Sequence, residues 1–198
     1  MSSMTTVDAT DARARASVYA FLASVFRSLP TEDSVRAVRE MARGLEIDAP
    51  GPFALEALER EYMDLFVVPN PRYVAPYESV FRDSWPSPLE EGAAIRGLLM
   101  GDSSLAVRRC YLEAGVAPED GLPDHVATEL QFMAWLWAQE AERESGDVAA
   151  IAQLRSRFRT DHVAQWIADL RGRVAERDRL GFYAVALRVT EAVIESDA

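Results

Sequence analysis

The stretch Ala12–Leu29, ARARASVYAFLASVFRSL, decides the fold class because its apolar residues follow a helical spacing. Steps of three and four residues place apolar side chains on one face of an α-helix. The residues on this face are Val18, Phe21, Leu22, Val25, Phe26 and Leu29. Pro30 follows, and proline is not tolerated in a helix interior. The stretch therefore predicts an amphipathic helix that ends before Pro30 and buries one face.

The same spacing continues along most of the chain. Thr31 is a suitable N-cap for a second helix that ends at Arg43, before Gly44. Further helices are predicted at Pro52–Phe66, Leu89–Met100, Ser104–Ala114, Pro123–Ser145, Val148–Arg159, Asp161–Arg177 and Arg179–Glu195. Asn-Gly hairpin turns and alternating strand patterns are absent from the sequence. The predicted fold class is all-α, a bundle of about eight or nine helices.

Residues 67–88 interrupt the helical pattern. Five prolines alternate here with aromatic residues: Pro69, Pro71, Pro76, Pro86 and Pro88 with Tyr73, Tyr77, Phe81 and Trp85. Proline favours extended or turn-rich backbone, and a long irregular segment is usually functional or disordered. Because aromatic side chains favour burial, we predict an ordered loop.

Length and charge limit the classes of function. A chain of 198 residues can form one domain with a substantial core. We predict a flexible N-terminus over residues 1–10 and one helical domain over residues 11–195. The length also suits one body with two lobes. The net charge of −11 argues against nucleic acid as a partner and favours a cationic one.

The single cysteine and the N-terminal composition predict a cytoplasmic protein. Cys110 alone cannot form an internal disulfide or a thiolate metal cluster. The N-terminus lacks the basic start and the apolar run of an export signal. No apolar stretch approaches the roughly 20 residues that cross a bilayer, so no stable membrane insertion is expected.

The first candidate site lies at the start of the longest predicted helix, in the sequence Pro123-Asp124-His125-Val126-Ala127-Thr128-Glu129. His125 and Glu129 are four residues apart and therefore share a helix face. Asp124 is favoured there by the unpaired amides of the first turn. These residues either form a polar binding cluster or simply cap a helix that carries a surface ion pair. We predict that Asp124→Ala weakens binding of the partner while helicity and melting stay nearly unchanged; a large loss of stability would instead support the capping interpretation.

The second candidate site combines Tyr62 and Phe66 with the sequence Pro76-Tyr77-Glu78-Ser79-Val80-Phe81. Tyr62 and Phe66 have the helical spacing of core residues. Tyr77, Glu78 and Ser79 lie in the proline-rich loop, where polar groups next to aromatic rings either line a groove or only pack against the bundle.

Familiar enzyme motifs are absent from the sequence. Neither His125 nor His162 follows a glutamate by three residues, as di-iron bundles require. His-Glu-x-x-His, a Walker-type loop and Gly-x-Ser-x-Gly do not occur either. Cys110 has no histidine close in sequence, and a single helical cysteine is usually a small core residue. We therefore predict no enzymatic activity, no metal and no cofactor.

Six motifs occur in a fixed order between Arg15 and Ile194. They are Glu61-Tyr62-x-x-Leu65-Phe66-Val67, Pro76-Tyr77-Glu78-Ser79-Val80-Phe81, Leu99-Met100-Gly101 leading into Val107-Arg108-Arg109-x-Tyr111-x-x-Ala114-Gly115, Pro123-Asp124-His125-x-x-x-Glu129-Leu130-x-Phe132-Met133, Phe158-x-x-x-His162-x-x-x-Trp166, and Gly181-Phe182-Tyr183. In this order the chain resembles the TorD/DmsD/NarJ family of cytoplasmic chaperones that mature molybdenum-containing oxidoreductases.

The resemblance implies an all-helical TorD-like bundle and a function. It also implies an N-terminal lobe to about residue 100 and a C-terminal lobe from about residue 101. Such a chaperone binds the twin-arginine signal peptide of a molybdopterin-dependent oxidoreductase, and its apo catalytic subunit, until cofactor insertion is complete. Premature Tat export is thereby prevented. The positions that match the family's leader-binding residues are Asp124, His125, Glu129, Tyr62, Pro76, Tyr77, Glu78 and Ser79.

The chemistry of these residues agrees with that function. Carboxylates bind guanidinium groups in a bidentate geometry, so Asp124, Glu129 and Glu78 are candidates for contacting the two arginines. The apolar part of the leader requires an apolar groove, and the candidates for its walls are Tyr62, Phe66, Tyr77, Phe81 and Phe132.

Several alternatives stay open at this point. The His125 imidazole is either protonated and holds the neighbouring acids together, or it only braces the helix. The chain is either this chaperone, a generic helical adaptor for another amphipathic peptide, or an enzyme with a metal site at Asp124, His125 and Glu129. Monomer and homodimer are both compatible with the sequence, and the sequence does not identify the client enzyme.

Overall fold

The computed structural model of the chain describes residues 8–87, 93–117, 121–142 and 148–197. Within these ranges the chain forms nine α-helices and one two-stranded sheet. The helices are α1 (Ala9–Arg27), α2 (Glu32–Gly44), α3 (Leu55–Tyr62), α4 (Glu78–Arg82), α5 (Asp102–Glu113), α6 (Val126–Glu142), α7 (Val148–Phe158), α8 (Ala164–Ala175) and α9 (Phe182–Ser196). The all-α prediction is confirmed.

The core forms where α1 packs along α6, and α7, α8 and α9 complete the bundle. Its largest fully enclosed side chains are aromatic: Trp137, Trp166, Tyr19, Tyr183, Phe26 and Phe158. Because α1 and α6 come from opposite halves of the chain, both halves supply the same core. The division into two lobes stays a prediction.

Local capping chemistry sets the start of α2. The Thr31 hydroxyl accepts a hydrogen bond from the Ser34 N–H at 3.1 Å, and the Ser34 hydroxyl accepts one from the Thr31 N–H at 2.9 Å. This reciprocal capping box satisfies two backbone donors, and the predicted N-cap is confirmed.

Two π-helical turns extend the helices beyond the predicted boundaries. Met63–Val67 continues α3, and Arg159–Val163 joins α7 to α8. The predicted break between Arg159 and Asp161 is therefore wrong. A π-turn contains one extra residue, so it changes the direction of the side chains that follow without ending the helix.

The predicted helix Leu89–Met100 is wrong over its described part, and residues 88–92 lie outside the described ranges. Strand β1 (Ser84–Pro86) pairs antiparallel with β2 (Ala94–Arg96), and Trp85 lies opposite Ile95. Tryptophan and isoleucine favour strands. The backbone φ angle is +80° at Gly97 and +63° at Met100, values that a right-handed helix excludes.

Candidate functional site

The two candidate motifs of the sequence meet at the start of α4. Tyr77 and His125 form an antiparallel β-bridge. The Glu78 N–H donates to the Asp124 carbonyl at 2.9 Å, and the first N–H of α6 donates to the Pro76 carbonyl at 2.9 Å. The segment that precedes α4 is therefore paired, through its backbone, with the segment that precedes α6.

The Asp124 carboxylate is completely buried and stabilises a helix in the other motif. It accepts hydrogen bonds from the Ser79 N–H in the first turn of α4 at 3.0 Å and from the Ser104 hydroxyl in α5 at 2.9 Å. The expected surface ion pair is wrong for this residue. The capping interpretation agrees with the geometry, but the capped helix is α4, inside the segment predicted to be extended.

The Glu78 carboxylate is completely buried and binds two cationic side chains. One is the guanidinium of Arg82, one helical turn further along α4. The other is the His162 imidazole, whose Nδ1 lies 3.0 Å from Glu78 Oε2 and whose Nε2 lies 3.8 Å from Cys110 Sγ. Burial opposes a charge on His162, but the hydrogen bonds to Cys110 and Glu78 and the Glu78 charge outweigh it. They raise the pKa of His162 to about 9.

Glu129 is also completely buried. Its Oε2 accepts a hydrogen bond from the Trp166 indole at 3.0 Å, whereas its Oε1 has no hydrogen-bond partner. Burial first, and then the charge of the nearby Glu78, raise the pKa of Glu129 well above its ordinary value, which favours the neutral acid. We refer to Glu78, Asp124, Glu129 and His162 as the Glu78 cluster.

His125 braces the start of α6 in its neutral form. Its Nδ1 accepts a hydrogen bond from the Ala127 N–H at 3.1 Å, and its ring packs edge-on against Tyr77. Burial, with a further contribution from the charge of Arg27, lowers the pKa of His125 to about 4. The hypothesis of a protonated His125 that holds the acids together is therefore wrong. The histidine that carries charge beside the acids is His162.

Most of the candidate groove aromatics are core residues. Tyr62 and Phe66 are buried against Tyr183, with ring centroids 6.0 and 5.3 Å from it. Phe132 is buried, 4.6 Å from the Tyr111 ring. Two of the candidates remain half-buried at the surface, next to the cluster: Tyr77 and Phe81.

Residues 30–171 match the family model described as nitrate reductase delta subunit. The chain belongs to this family. The resemblance to TorD/DmsD/NarJ chaperones is thereby confirmed for a span that includes the whole Glu78 cluster.

Three curated relatives of this chain carry the names of chaperones, and none of the three is named as an enzyme. This chain is 34% identical to the selenate reductase assembly chaperone protein of Thauera selenatis, over 34% of this chain and 37% of the relative. It is 41% identical to the chlorate reductase assembly chaperone protein of Ideonella dechloratans, over 26% of this chain and 28% of the relative. It is 26% identical to the chaperone protein TorD of Shewanella pealeana, over 73% of this chain. The matched regions span at most 61% of the length of these relatives.

Four residues that contact members of the Glu78 cluster were not predicted from the sequence as site residues. His162 and Trp166 stand in a quoted motif but received no role, and Cys110 was placed far from any histidine. Arg82 follows Glu78 by four residues, the spacing of a helical ion pair. That spacing could have identified Arg82 as a partner of Glu78. It brings the two side chains together only in a helix, however, and the segment was predicted to be a loop.

Exposed apolar residues follow α4 in the chain and were also not predicted. On the hairpin, Trp85 is 40% and Ile95 is 38% exposed, and directly opposed residues of two strands share a face. The exposed apolar residues continue along the chain toward α5 with Leu98, Leu99 and Met100. We call Trp85, Ile95 and residues 98–100 the hairpin surface.

The described residues were also compared with two kinds of site, a metal centre and a membrane-spanning helix. Across residues 8–87, 93–117, 121–142 and 148–197, no group of three His, Cys, Asp or Glu side chains is arranged to hold a metal ion. In the same ranges, no helix is both long and apolar enough to span a bilayer.

Proposed function

We propose that this protein is an assembly chaperone that binds the twin-arginine signal peptide and the apo catalytic subunit of a molybdopterin-dependent oxidoreductase. By holding the leader in the cytoplasm, it supports cofactor insertion and prevents premature Tat export. Family membership and the names of the three relatives support the chaperone part of this proposal.

One observation carries the peptide-binding part: the buried Glu78 carboxylate binds a guanidinium within α4, and exposed apolar residues begin at Trp85, three residues after Arg82. A twin-arginine leader presents adjacent guanidinium groups followed by an apolar run of roughly 7–15 residues. Carboxylates bind guanidinium groups with directional hydrogen bonds. The Glu78 cluster and the hairpin surface match these two parts of the ligand in chemistry and in order.

The predicted site residues divide into two roles in this proposal. Glu78, Tyr77 and Phe81 contact the peptide. The other residues, half-buried His125 and seven buried ones, keep the contacting residues in place; the buried ones are Asp124, Glu129, Ser79, Pro76, Tyr62, Phe66 and Phe132.

The net charge of −11 supports the capture of a cationic leader. A negative protein surface accelerates the association of a cation and repels anionic competitors. Salt screens this contribution over about 8–10 Å at moderate ionic strength. The association rate is therefore expected to fall as salt is added, while the apolar contribution of the hairpin surface persists.

The test is a calorimetric titration with a synthetic peptide that carries two adjacent arginines followed by an apolar stretch. Matched peptides carry two lysines or two glutamines in place of the arginines. We expect the arginine peptide to bind at least about tenfold more tightly than the glutamine peptide, with the lysine peptide between them, because lysine lacks the planar donor geometry. Equal affinities would instead support the generic adaptor, and no binding of any peptide would contradict the proposal.

A second titration addresses the catalytic subunit. We expect the apo catalytic subunit of the client to bind with its leader attached and, more weakly, after its leader is removed. A leaderless subunit with no measurable affinity would restrict the function to the signal peptide. The complex is expected to contain one or two copies of the chaperone, which analytical ultracentrifugation distinguishes.

A further inference from the structure

We propose that the guanidinium of Arg82 occupies, in the free protein, the position that binds an arginine of the peptide, and that Arg82 must leave for that arginine to bind. This inference rests on the proposed function and adds a regulatory element to it. Arg82 is then an internal competitor that sets the affinity and the specificity of the site.

The position is built by two separate parts of the fold. The Nη1 of Arg82 contacts the Glu78 carboxylate and donates to the carbonyl of Asp161 at 2.6 Å. Glu78 belongs to α4, and Asp161 belongs to the π-turn that joins α7 to α8. A guanidinium that lies here therefore bridges an anionic and a neutral acceptor that the fold holds in place.

Exposure identifies Arg82 as the replaceable partner of Glu78. The side chain of Arg82 is 33% exposed, whereas that of His162 is 7% exposed and that of Glu78 is completely buried. Of these two cationic partners, Arg82 is the one that an incoming peptide reaches from solvent. Its removal leaves Glu78 paired with the imidazolium of His162, so the buried carboxylate does not become isolated.

The local structure makes the Arg82 side chain easy to displace. Arg82 is the last residue of the five-residue helix α4, and the backbone is extended at the following Asp83. A Glu–Arg pair four residues apart stabilises an isolated helix only weakly. Asp83 itself is fixed by accepting hydrogen bonds from the Ser103 N–H at 3.0 Å and hydroxyl at 2.6 Å. Displacement therefore requires a side-chain rotation while the backbone stays in place.

The exchange conserves charge only if the incoming group is a cation, and the planar donor geometry favours a guanidinium over an ammonium. One arginine leaves Glu78 and another arrives, so the buried carboxylate is never without its cations. A peptide arginine is favoured over Arg82 only if the rest of the peptide adds contacts. The hairpin surface begins three residues after Arg82 and offers those contacts to the apolar run that follows the arginines.

A second buried ion pair shows how a structural arginine differs. Arg72 binds Glu61, but its side chain is only 15% exposed, and its Nε donates to the Arg177 carbonyl at 3.1 Å. It also contacts Asp64 at 3.0 Å. An arginine with several fixed partners and little exposure stabilises the fold. Arg82 is the more exposed of these two arginines that bind buried glutamates.

The test compares Arg82→Gln with Arg171→Gln in the full chain, using the arginine and glutamine peptides. Arg171 is a matched control because its side chain is 36% exposed and its Nε lies 2.7 Å from Glu191, in the α8–α9 pair. If Arg82 blocks the site, the apparent Kd of the arginine peptide equals the intrinsic Kd divided by the fraction of molecules that are not blocked. We expect Arg82→Gln to tighten binding of that peptide by at least about threefold, and Arg171→Gln to leave it unchanged.

Unchanged or weaker binding of the arginine peptide by Arg82→Gln would overturn the inference. An equal gain for the glutamine peptide would overturn it too, because a competitor for a guanidinium position affects only guanidinium ligands. If wild-type protein fails to distinguish the two peptides, the proposed function itself fails. If it distinguishes them and Arg82→Gln shows no gain, only the present inference fails.

A second variant and a direct measurement keep the test decisive if Arg82→Gln does not fold. Arg82→Lys keeps the positive charge but loses the planar fork, so a smaller gain of about twofold is expected. No gain or a loss would overturn the inference. In wild-type protein, the Nη–H resonances of Arg82, assigned by their loss in Arg82→Lys, should exchange faster with water when the arginine peptide binds, because Nη1 makes the contacts that are lost. Unchanged protection would contradict the displacement.

Discussion

Two groups of buried polar residues differ in how completely their hydrogen bonds are satisfied. The Asp197 carboxylate, 1% exposed, accepts hydrogen bonds from the Tyr19 hydroxyl at 2.7 Å and the Trp137 indole at 3.1 Å, and it also pairs with Arg15. We call these four residues the Asp197 cluster. In this cluster the single carboxylate of Asp197 binds one cation and accepts hydrogen bonds from two neutral donors.

The Glu78 cluster instead contains three completely buried carboxyl groups and one imidazole. The Oε1 of Glu129 and the hydroxyl of the adjacent Ser79 lack hydrogen-bond partners. Burying polar groups without partners costs free energy. The Asp197 cluster therefore has the properties of a structural element, whereas the incomplete pairing in the Glu78 cluster agrees with the binding role that we propose for it.

The largest effect on stability is expected from Asp197→Ala. It leaves the buried Tyr19 hydroxyl and Trp137 indole without an acceptor, at a cost of about 2–4 kcal/mol in the free energy of unfolding. Urea denaturation measures this loss. Asp33→Ala, at a site 85% exposed, is the control and should change little. We expect Asp197→Ala to bind the peptide with normal affinity at low temperature, where the variant stays folded. If Asp197→Ala lowers the free energy of unfolding by less than about 0.5 kcal/mol, the two clusters do not differ in the way described.

A smaller effect is expected from Asp124→Ala. The Ser79 N–H and the Ser104 hydroxyl lose their shared acceptor, which should lower the free energy of unfolding by about 1–3 kcal/mol. Asp124→Asn retains one acceptor oxygen and should lose less. Unchanged unfolding with abolished peptide binding would instead favour direct contact between Asp124 and the ligand.

Stability should depend on pH through the two histidines of the chain. The pKa of His162 is raised from 6.5 to about 9, so its stabilising contribution is complete below 6.5 and is lost as the pH rises toward 9. The pKa of His125 is lowered from 6.5 to about 4, so its contribution is complete above 6.5 and is lost as the pH falls toward 4. The melting temperature should therefore fall on both sides of about pH 6.5.

Two variants test which histidine causes the loss of stability on each side of the pH profile. His162→Gln should flatten the alkaline side, and His125→Asn should flatten the acidic side. With only two imidazoles in the chain, their NMR titrations are easily separated. A His125 that titrates near 6.5 would show that the segment before α6 opens in solution.

The smallest effect is expected from Glu129→Gln. Because burial already favours the neutral acid, the neutral amide can accept from Trp166 with little change, within about 1 kcal/mol of wild type. Glu140→Gln is the control on the same helix, since Glu140 pairs with the guanidinium of Arg155 and should cost more. A large loss for Glu129→Gln would indicate that the carboxylate is charged and paired.

The sequence predicted the helices better than the connections. The spacing of apolar residues in α1 and the Thr31 N-cap are local features, and both predictions hold except at Leu29, which lies beyond the end of α1 and is exposed. The helix predicted at Leu89–Met100 failed because its described part pairs with a strand located before it in the chain. Strand pairing depends on a partner segment, which periodicity within one segment does not contain.

The sequence also identified the right segments of the candidate site but not the environment of their side chains. The two motifs at Glu78 and Asp124 do meet, yet Asp124 caps the helix of the other motif. Two tyrosines that look equivalent in the sequence differ in burial, because Tyr77 is half-buried whereas Tyr62 lies in the core.

By itself, the sequence determined the all-α class, the family and the two segments that form the site, because helical spacing, capping and motif order are all written along the chain. Only the tertiary structure decided which histidine is charged and which arginine binds the Glu78 carboxylate. His162 lies 84 residues from Glu78 and meets it through the π-turn between α7 and α8. A pKa depends on burial and on neighbouring charges in space, so residues far apart in the chain set it.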